Sequence, residues 1–227
     1  PGESKQARAQ LGVAPQLDNL DTTLTVEQNL LVFSHLYRID RCDRKEAIER
    51  ALVMAKLVER RGDRVDKLSG GMRRRLLIAR SLIHRPRLVL MDEPTVGLDP
   101  QIRTELWSLI DALRAEGKTI LMSTHYIEEA QRLADTVMIM SHGTAVASGT
   151  PSELVLEHAG REVLEVYGPP ARLAEVEAEA GSAGLRTRRT GTSVSILDVD
   201  GFRGFDGVRR AANLEDVFVL LTGEEIA

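Results

Sequence analysis

Two carboxylates stand side by side at Asp92 and Glu93, directly after the apolar run LVLM at 88–91. A run without alternation reads as a strand buried on both faces, and ligands of open parallel sheets collect beyond the carboxyl ends of such strands. Two acids in that place could divide the work of a phosphoryl-transfer site, one holding a magnesium ion and the other handling water. Taken alone, the pattern is more often a strand end with solvated charges.

A second candidate is Ser69-Gly70-Gly71, set in front of the apolar stripe of MRRRLLIARSLI at 72–83. A serine can cap a helix, and glycines let backbone N–H groups come close to an anion. A helix amino end carries roughly half a positive charge, which makes it a ready phosphate site. On its own the stretch is equally a capped surface helix, with Arg73, Arg74 and Arg75 as a solvated face. His125 follows the apolar run TILMST (119–124) and is expected at the same sheet edge as Asp92 and Glu93; Gln16 has the matching position after LGVAP (11–15). Alone, the histidine would be structural and the glutamine would pass unnoticed.

The elements that must hold these residues follow from patterning. LGVAP reads as a short buried strand running into a polar turn. Thr25-x-x-Gln28 is a capping-box pattern, and Val26, Leu30, Phe33 and Tyr37 share one helical face. A second amphipathic helix is expected over about 43–61, and a third after the glycines. Beyond Pro86 the pattern changes to LVLMDE, a helix near 100–116, TILMST, a helix near 126–133 and the strand VMIM (137–140). Unalternating strands separated by helices predict a parallel sheet covered on both faces. Gly143 and Gly149 bracket a hairpin return, and SELVLEH (152–158) is a short helix. From about 161 the texture shifts to a small α+β unit: EVLEVYG as strand, ARLAEVEAEAG as helix, a hairpin turning at Gly191 and NLEDVFVLLTG as the last helix.

Composition narrows the classes. The 227 residues carry a net charge of −4, with 43% hydrophobic and 28% charged residues, which suits a globular protein with a proper core and gives no footprint for nucleic acid. No apolar run approaches the roughly 20 residues of a spanning helix. The single cysteine, Cys42, excludes an internal disulfide and has no partner at metal spacing. DVDGFRGFDG (198–207) hints at a calcium loop, but Phe202 and Arg203 stand where a ligand and the required glycine belong. Gly201, Gly204 and Gly207 are spaced wrongly for a dinucleotide fingerprint.

Order and spacing join the candidates. Gln16, LSGGM at 68–72, LVLMDE at 88–93, GLD at 97–99 and His125 together resemble the ATP-binding cassette (ABC) family, over about residues 8–158. By that resemblance Gln16 matches the Q-loop, Ser69-Gly70-Gly71 the signature motif, Asp92 and Glu93 the Walker B pair, Asp99 the D-loop and His125 the switch histidine. Met72 departs from the more usual glutamine, as it does in many exporter cassettes. The stretch VAPQLDNLDTTLTVEQNLLVF, the helix MRRRLLIARSLI and the closing NLEDVFVLLTG are similar to nodulation ATP-binding protein I and antibiotic-exporter ATPases of bacteria.

The resemblance implies a P-loop NTPase core with a parallel sheet and a helical subdomain (about 18–85) over residues 1–159, and an accessory α+β domain over 160–227. It implies ATP and magnesium as cofactors, with Asp92 and Gln16 at the metal, Glu93 as general base and His125 at the γ-phosphate. Ser69, Gly70, Gly71 and Asp99 would serve the nucleotide across a head-to-tail homodimer. The partner expected for the helical subdomain is a separate integral-membrane permease, at the cytoplasmic face of the membrane, for a lipo-oligosaccharide, drug or antibiotic cargo.

No G-x-x-x-x-G-K-[ST] occurs in the chain, and GESK at 2–5 lacks the first glycine and the spacing. Pro1 is an odd natural start, so a truncation is expected, with the phosphate loop upstream and weak ATP binding by these residues alone. Two rival readings remain. A non-transport member of the family would insert long coiled coils between Gln16 and Ser69, where only about 50 residues stand; a translation-type member carries two cassettes. A catalytically silent regulatory subunit is disfavoured by the intact Glu93 and His125 and favoured by the missing loop.

Overall fold

The computed structural model describes residues 7–199 and 204–223, which divide into two compact units, one ending at Thr124 and the other beginning at His125. In the first, β1 (Leu11–Ala14), β2 (Leu88–Asp92) and β3 (Thr119–Ser123) form a parallel sheet in the order β1-β2-β3. Met91 pairs with Ala14 on one side and Met122 on the other, and Asp92 is in register with Ser123.

Between β1 and β2 lies the helical segment. Helix α1 (Val26–Leu36) starts on the anticipated capping box: the Gln28 N–H donates to Thr25 Oγ1 at 3.2 Å, and the Thr25 N–H donates to Gln28 Oε1 at 2.8 Å. Helix α2 (Arg41–Ala55) is shorter than the expected 43–61. Lys56 adopts φ 56°, and the Leu57 N–H reaches back to the Leu52 carbonyl, a C-terminal cap that folds Leu57 into the core at 1% exposure. Burial of Leu57 thus stops the helix where periodicity would continue it, and Val58–Arg60 forms only a 3-10 turn. Helix α3 (Gly70–Ser81) is capped by Ser69, whose Oγ accepts from the Met72 N–H at 3.3 Å. Leu30, Leu52, Val65, Leu76 and Leu77 share the core of these helices.

Helix α4 (Pro100–Ala115) links β2 to β3, with proline at its first position and Asp99 as its cap. The sheet departs from the expectation of two covered faces. Ala14, Val89 and Met91 are buried, and a Cβ on Gly12 would lie 2.5 Å from the Ser81 carbonyl at the end of α3. On the opposite face Val13 and Leu121 are 48% and 65% exposed.

The second unit begins with α5 (Ile127–Leu133). The run VMIM, expected as another parallel strand, belongs to β4 (Val137–Ser141), which pairs antiparallel with β5 (Thr144–Gly149). The hairpin chemistry of Gly143, at φ 77°, decides that partnership locally. Helix α6 (Pro151–His158) follows on a Thr150/Glu153 capping box. Then β6 (Glu162–Tyr167), α7 (Pro170–Ser182), β7 (Thr187–Thr190), β8 (Ser193–Leu197), β9 (Val208–Ala211) and α8 (Leu214–Thr222) complete the chain, with sheet order β7-β8-β6-β9. Strand β9 was not expected from VRRA. It forms by pairing with β6, where Arg209 meets Glu162 at 2.7 Å and Arg210 meets Glu165 at 3.0 Å. Residues 200–203 of the calcium-loop look-alike, like GESK at 2–5, lie outside the described residues.

Candidate functional site

The carboxyl ends of β1 and β2 bring Gln16 and the Asp92-Glu93 pair to one edge, since the strands run parallel and in register to Ala14 and Met91. Asp92 is exposed, and its Oδ1 accepts from Ser123 Oγ at 2.5 Å. Ser123 also anchors the next residue: the Glu93 N–H donates to the Ser123 carbonyl at 3.2 Å and to Ser123 Oγ at 3.1 Å. Glu93 has φ 45°, in the left-handed region that costs an L-residue about 1–2 kcal/mol. A non-glycine residue keeps such a conformation where its surroundings over-determine it, and these conformations concentrate at functional sites.

Arg74 supplies much of that constraint. It was expected on a solvated face of α3, but it is 8% exposed and its guanidinium donates to five main-chain carbonyls. Nε donates to Pro94 at 2.7 Å, Nη1 to Pro15 at 2.6 Å and Gln16 at 3.3 Å, and Nη2 to Asp92 at 2.8 Å and Glu93 at 3.0 Å. One side chain therefore grips the loops after both strands. Of its neighbours, Arg75 is 11% exposed while Arg73 is 40% exposed, and each has an acid partner. Arg73 Nε lies 3.8 Å from Asp18 Oδ2, and Arg75 Nη1 lies 2.8 Å from Glu105 Oε2. The three arginines face different partners because successive helical residues turn about 100° apart. Farther along α3, Arg80 donates to the carbonyl of Asn19 at 3.1 Å and to its Oδ1, and its Cζ sits 3.9 Å above the Phe33 ring. Burial pushes the Arg80 guanidinium down to about 10, against the attraction of Asp18.

The two glycines of the signature stretch separate in role. A Cβ on Gly70 would meet nothing within 4 Å, whereas one on Gly71 would lie 2.8 Å from Ile102 Cγ2. Gly70 thus keeps open space at the capped start of α3, while Gly71 is small to admit α4. Asp99 Oδ1 accepts from the Ile102 N–H at 3.0 Å, so its side chain fixes the same turn of α4. Gln16, Gly70, Arg73, Arg74, Gly97 and Leu98 line a cavity of about 260 Å³ between the loop after β1, the start of α3 and the turn before α4.

His125 stands two residues beyond Ser123 in the chain and opens the second unit. Its ring lies 4.2 Å from that of Tyr126, the residue before α5. Among the described residues no group of three or more His, Cys, Asp or Glu side chains could hold a metal. One carboxylate and one amide oxygen, Asp92 and Gln16, fit magnesium, which takes few protein oxygens and completes its shell with water and phosphate. They do not fit the nitrogen and sulfur preferences of zinc.

Among known proteins, residues 2–96 match the family described as ABC transporter. The whole chain is 40% identical over 236 residues to Nod factor export ATP-binding protein I of Burkholderia orbicola, covering 77% of that protein. It is 41% identical to the protein of that name from Ralstonia nicotianae, covering 74% of it, and 40% identical to that of Rhizobium meliloti, covering 70%. A solved ATP-binding subunit of an ABC transporter superposes with TM-score 0.60 at 26% identity, over 69% of this chain. A dimeric ATP-binding cassette bound to ADP and Pi in a post-hydrolysis state superposes with TM-score 0.57 at 28% identity, over 65% of this chain. The chain spans 65% of the length of each of those two solved chains. With identity of this order sustained from end to end, the chain belongs to the ABC transporter family, as one of its ATP-binding subunits.

Proposed function

We propose that this chain is the ATP-hydrolysing subunit of a bacterial exporter, and that Glu93 is its general base. The observation that carries this reading is the built edge at β2. Asp92 and Glu93 are held by Ser123 and by the Arg74 guanidinium, with the Glu93 backbone kept at φ 45°. Phosphoryl transfer to water depends mostly on positioning and charge stabilisation, which is what such an edge supplies. Glu93 takes the proton as water attacks the γ-phosphorus in line with the bridging oxygen, whose bond breaks to release ADP and inorganic phosphate. Asp92 and Gln16 would hold magnesium, which would neutralise charge on the phosphates. His125 contacts the γ-phosphate and orients the water.

Two copies pair head to tail in this reading. Ser69, Gly70 and Gly71 face the γ-phosphate held by the other copy, and the open space at Gly70 supports that placement. Asp99 ties the two sites through the turn it caps. The helical segment of about 18–85 docks on a separate permease at the cytoplasmic membrane face, and the accessory domain begins near residue 160. Among the described residues no helix is long and apolar enough to cross a membrane. Without a phosphate loop in the 227 residues, these residues alone bind ATP weakly.

The test is Glu93→Gln in the complete protein with magnesium and ATP. A positioned base is worth about 10²–10⁴ in rate, so hydrolysis should fall by that factor while an ATP-bound dimer accumulates. Turnover at the unmodified rate would overturn the assignment.

A further inference from the structure

The grip of Arg74 spans two loops that have different duties in the function proposed above, and on that reading the consequence depends. Pro15 and Gln16 follow β1, while Asp92 ends β2 and Glu93 and Pro94 follow it; both segments serve the nucleotide the chain keeps for itself. Arg74 itself sits one helical turn after Gly70, at the end of α3 that the chain offers to its twin. We propose that Arg74 is a positioning residue that couples the two nucleotide sites through the interior of each subunit.

The physical basis is the saturation of the guanidinium. Nε makes one hydrogen bond and each terminal nitrogen makes two, the full complement of five N–H donors. At 8% exposure, water cannot readily replace an acceptor that moves away. A shift of the Gln16 loop, or of the Asp92–Pro94 segment, must therefore either carry the start of α3 with it or leave a buried donor unpaired. Two further contacts bind α3 to the same loop: Arg73 with Asp18 and Arg80 with Asn19. Lysine would keep the charge but has no planar fork to reach five carbonyls.

The experiment compares full-length unmodified protein, Arg74→Lys and Glu93→Gln. Coupled sites give a Hill coefficient for ATP hydrolysis above one and bounded by two, the number of sites. In Arg74→Lys we expect that coefficient to fall to one and kcat to drop by up to about 100-fold, the size of a 1 Å misplacement. Binding of a fluorescent ATP analogue to the dilute monomer should stay within about twofold, since no substrate contact is removed. A merely structural defect would weaken that binding as well. If Arg74→Lys keeps both cooperativity and kcat, the coupling role is wrong; if Glu93→Gln turns over normally, the functional reading beneath it is wrong instead.

Hydrogen exchange on the unmodified protein gives a second measure that needs no variant. Amides of Met72–Arg75 and of Asp92 and Glu93 should open together, with protection factors within about threefold of one another. Factors differing by about a hundredfold or more would show the segments moving independently and would also overturn the proposal.

Discussion

Gly71 lies so close to Ile102 that a single methyl group on it would reach within 2.8 Å of Ile102 Cγ2. The contact joins the first turn of α3 to the first turn of α4, whose cap is Asp99. Gly71→Ala should therefore cost about 1–3 kcal/mol by overpacking, and Ile102→Ala should restore part of it. Gly70→Ala, with open space around it, should leave stability within about 0.5 kcal/mol while abolishing nucleotide-driven pairing of two copies. Urea denaturation and size-exclusion chromatography with ATP separate the two outcomes. Equal stability loss in both variants would sink the division of roles.

Ser123 holds Asp92 Oδ1 at 2.5 Å and the Glu93 N–H at 3.1 Å, although no feature of TILMST singles it out. Removing an outer partner of a metal-binding carboxylate typically weakens metal affinity about 10–100-fold. In the complete protein, Ser123→Ala should raise the magnesium concentration for half-maximal ATPase activity by at least about tenfold. An unchanged magnesium requirement would show that Asp92 needs no such anchor.

His84 stacks on Tyr37 with ring centroids 3.6 Å apart, and its Nε2 is 3.2 Å from the Leu11 carbonyl. Burial lowers its pKa, opposed by that hydrogen bond and reinforced by the charge of Lys118. A histidine whose folded value is depressed favours the native state above its unfolded pKa of about 6.5, because only the unfolded chain gains a proton just below it. That stability is lost as pH falls from there through the lowered folded value. Urea midpoints at pH 7.5 and pH 5.5 should therefore drift less in His84→Phe than in the unmodified chain. Identical drift would exclude His84 as a source of acid sensitivity.

Asp216 is fully buried between Arg188 and Arg210, with N–O distances of 3.0 and 2.7 Å. The pairing pushes the Arg210 guanidinium up, chiefly through its hydrogen bond to Asp216. Asp216→Ala leaves two cations without this partner and should destabilise the second unit by about 3–5 kcal/mol. Asp216→Asn keeps an acceptor for the Asn213 N–H, now made at 3.1 Å, and should lose less. Chemical denaturation followed by fragment-resolved hydrogen exchange would test the order of the two variants.

Much of this protein is written in short-range pattern. Thr25-x-x-Gln28 and Ser69 start their helices as expected, since a cap needs only three or four residues. The three unalternating apolar runs at 11–14, 88–92 and 119–123 form one parallel sheet, as such runs predict. Order and spacing single out the candidates from Gln16 to His125, and the parallel register of β1 and β2 brings Gln16, Asp92 and Glu93 to one edge. What required the folded chain was every choice of partner. Arg74 falls three and four residues before Leu77 and Ile78, on the buried face of α3, yet its charge pointed outward until five carbonyls converged on it. Gly71 and Gly70 are identical in sequence, and only the approach of Ile102 tells them apart. VRRA becomes a strand on β6, whose Glu162 and Glu165 meet Arg209 and Arg210 diagonally across the pair. Local pattern places most helices and apolar strands, whereas pairing across tens of residues, which also makes VRRA a strand, depends on surfaces that do not exist until the chain has packed.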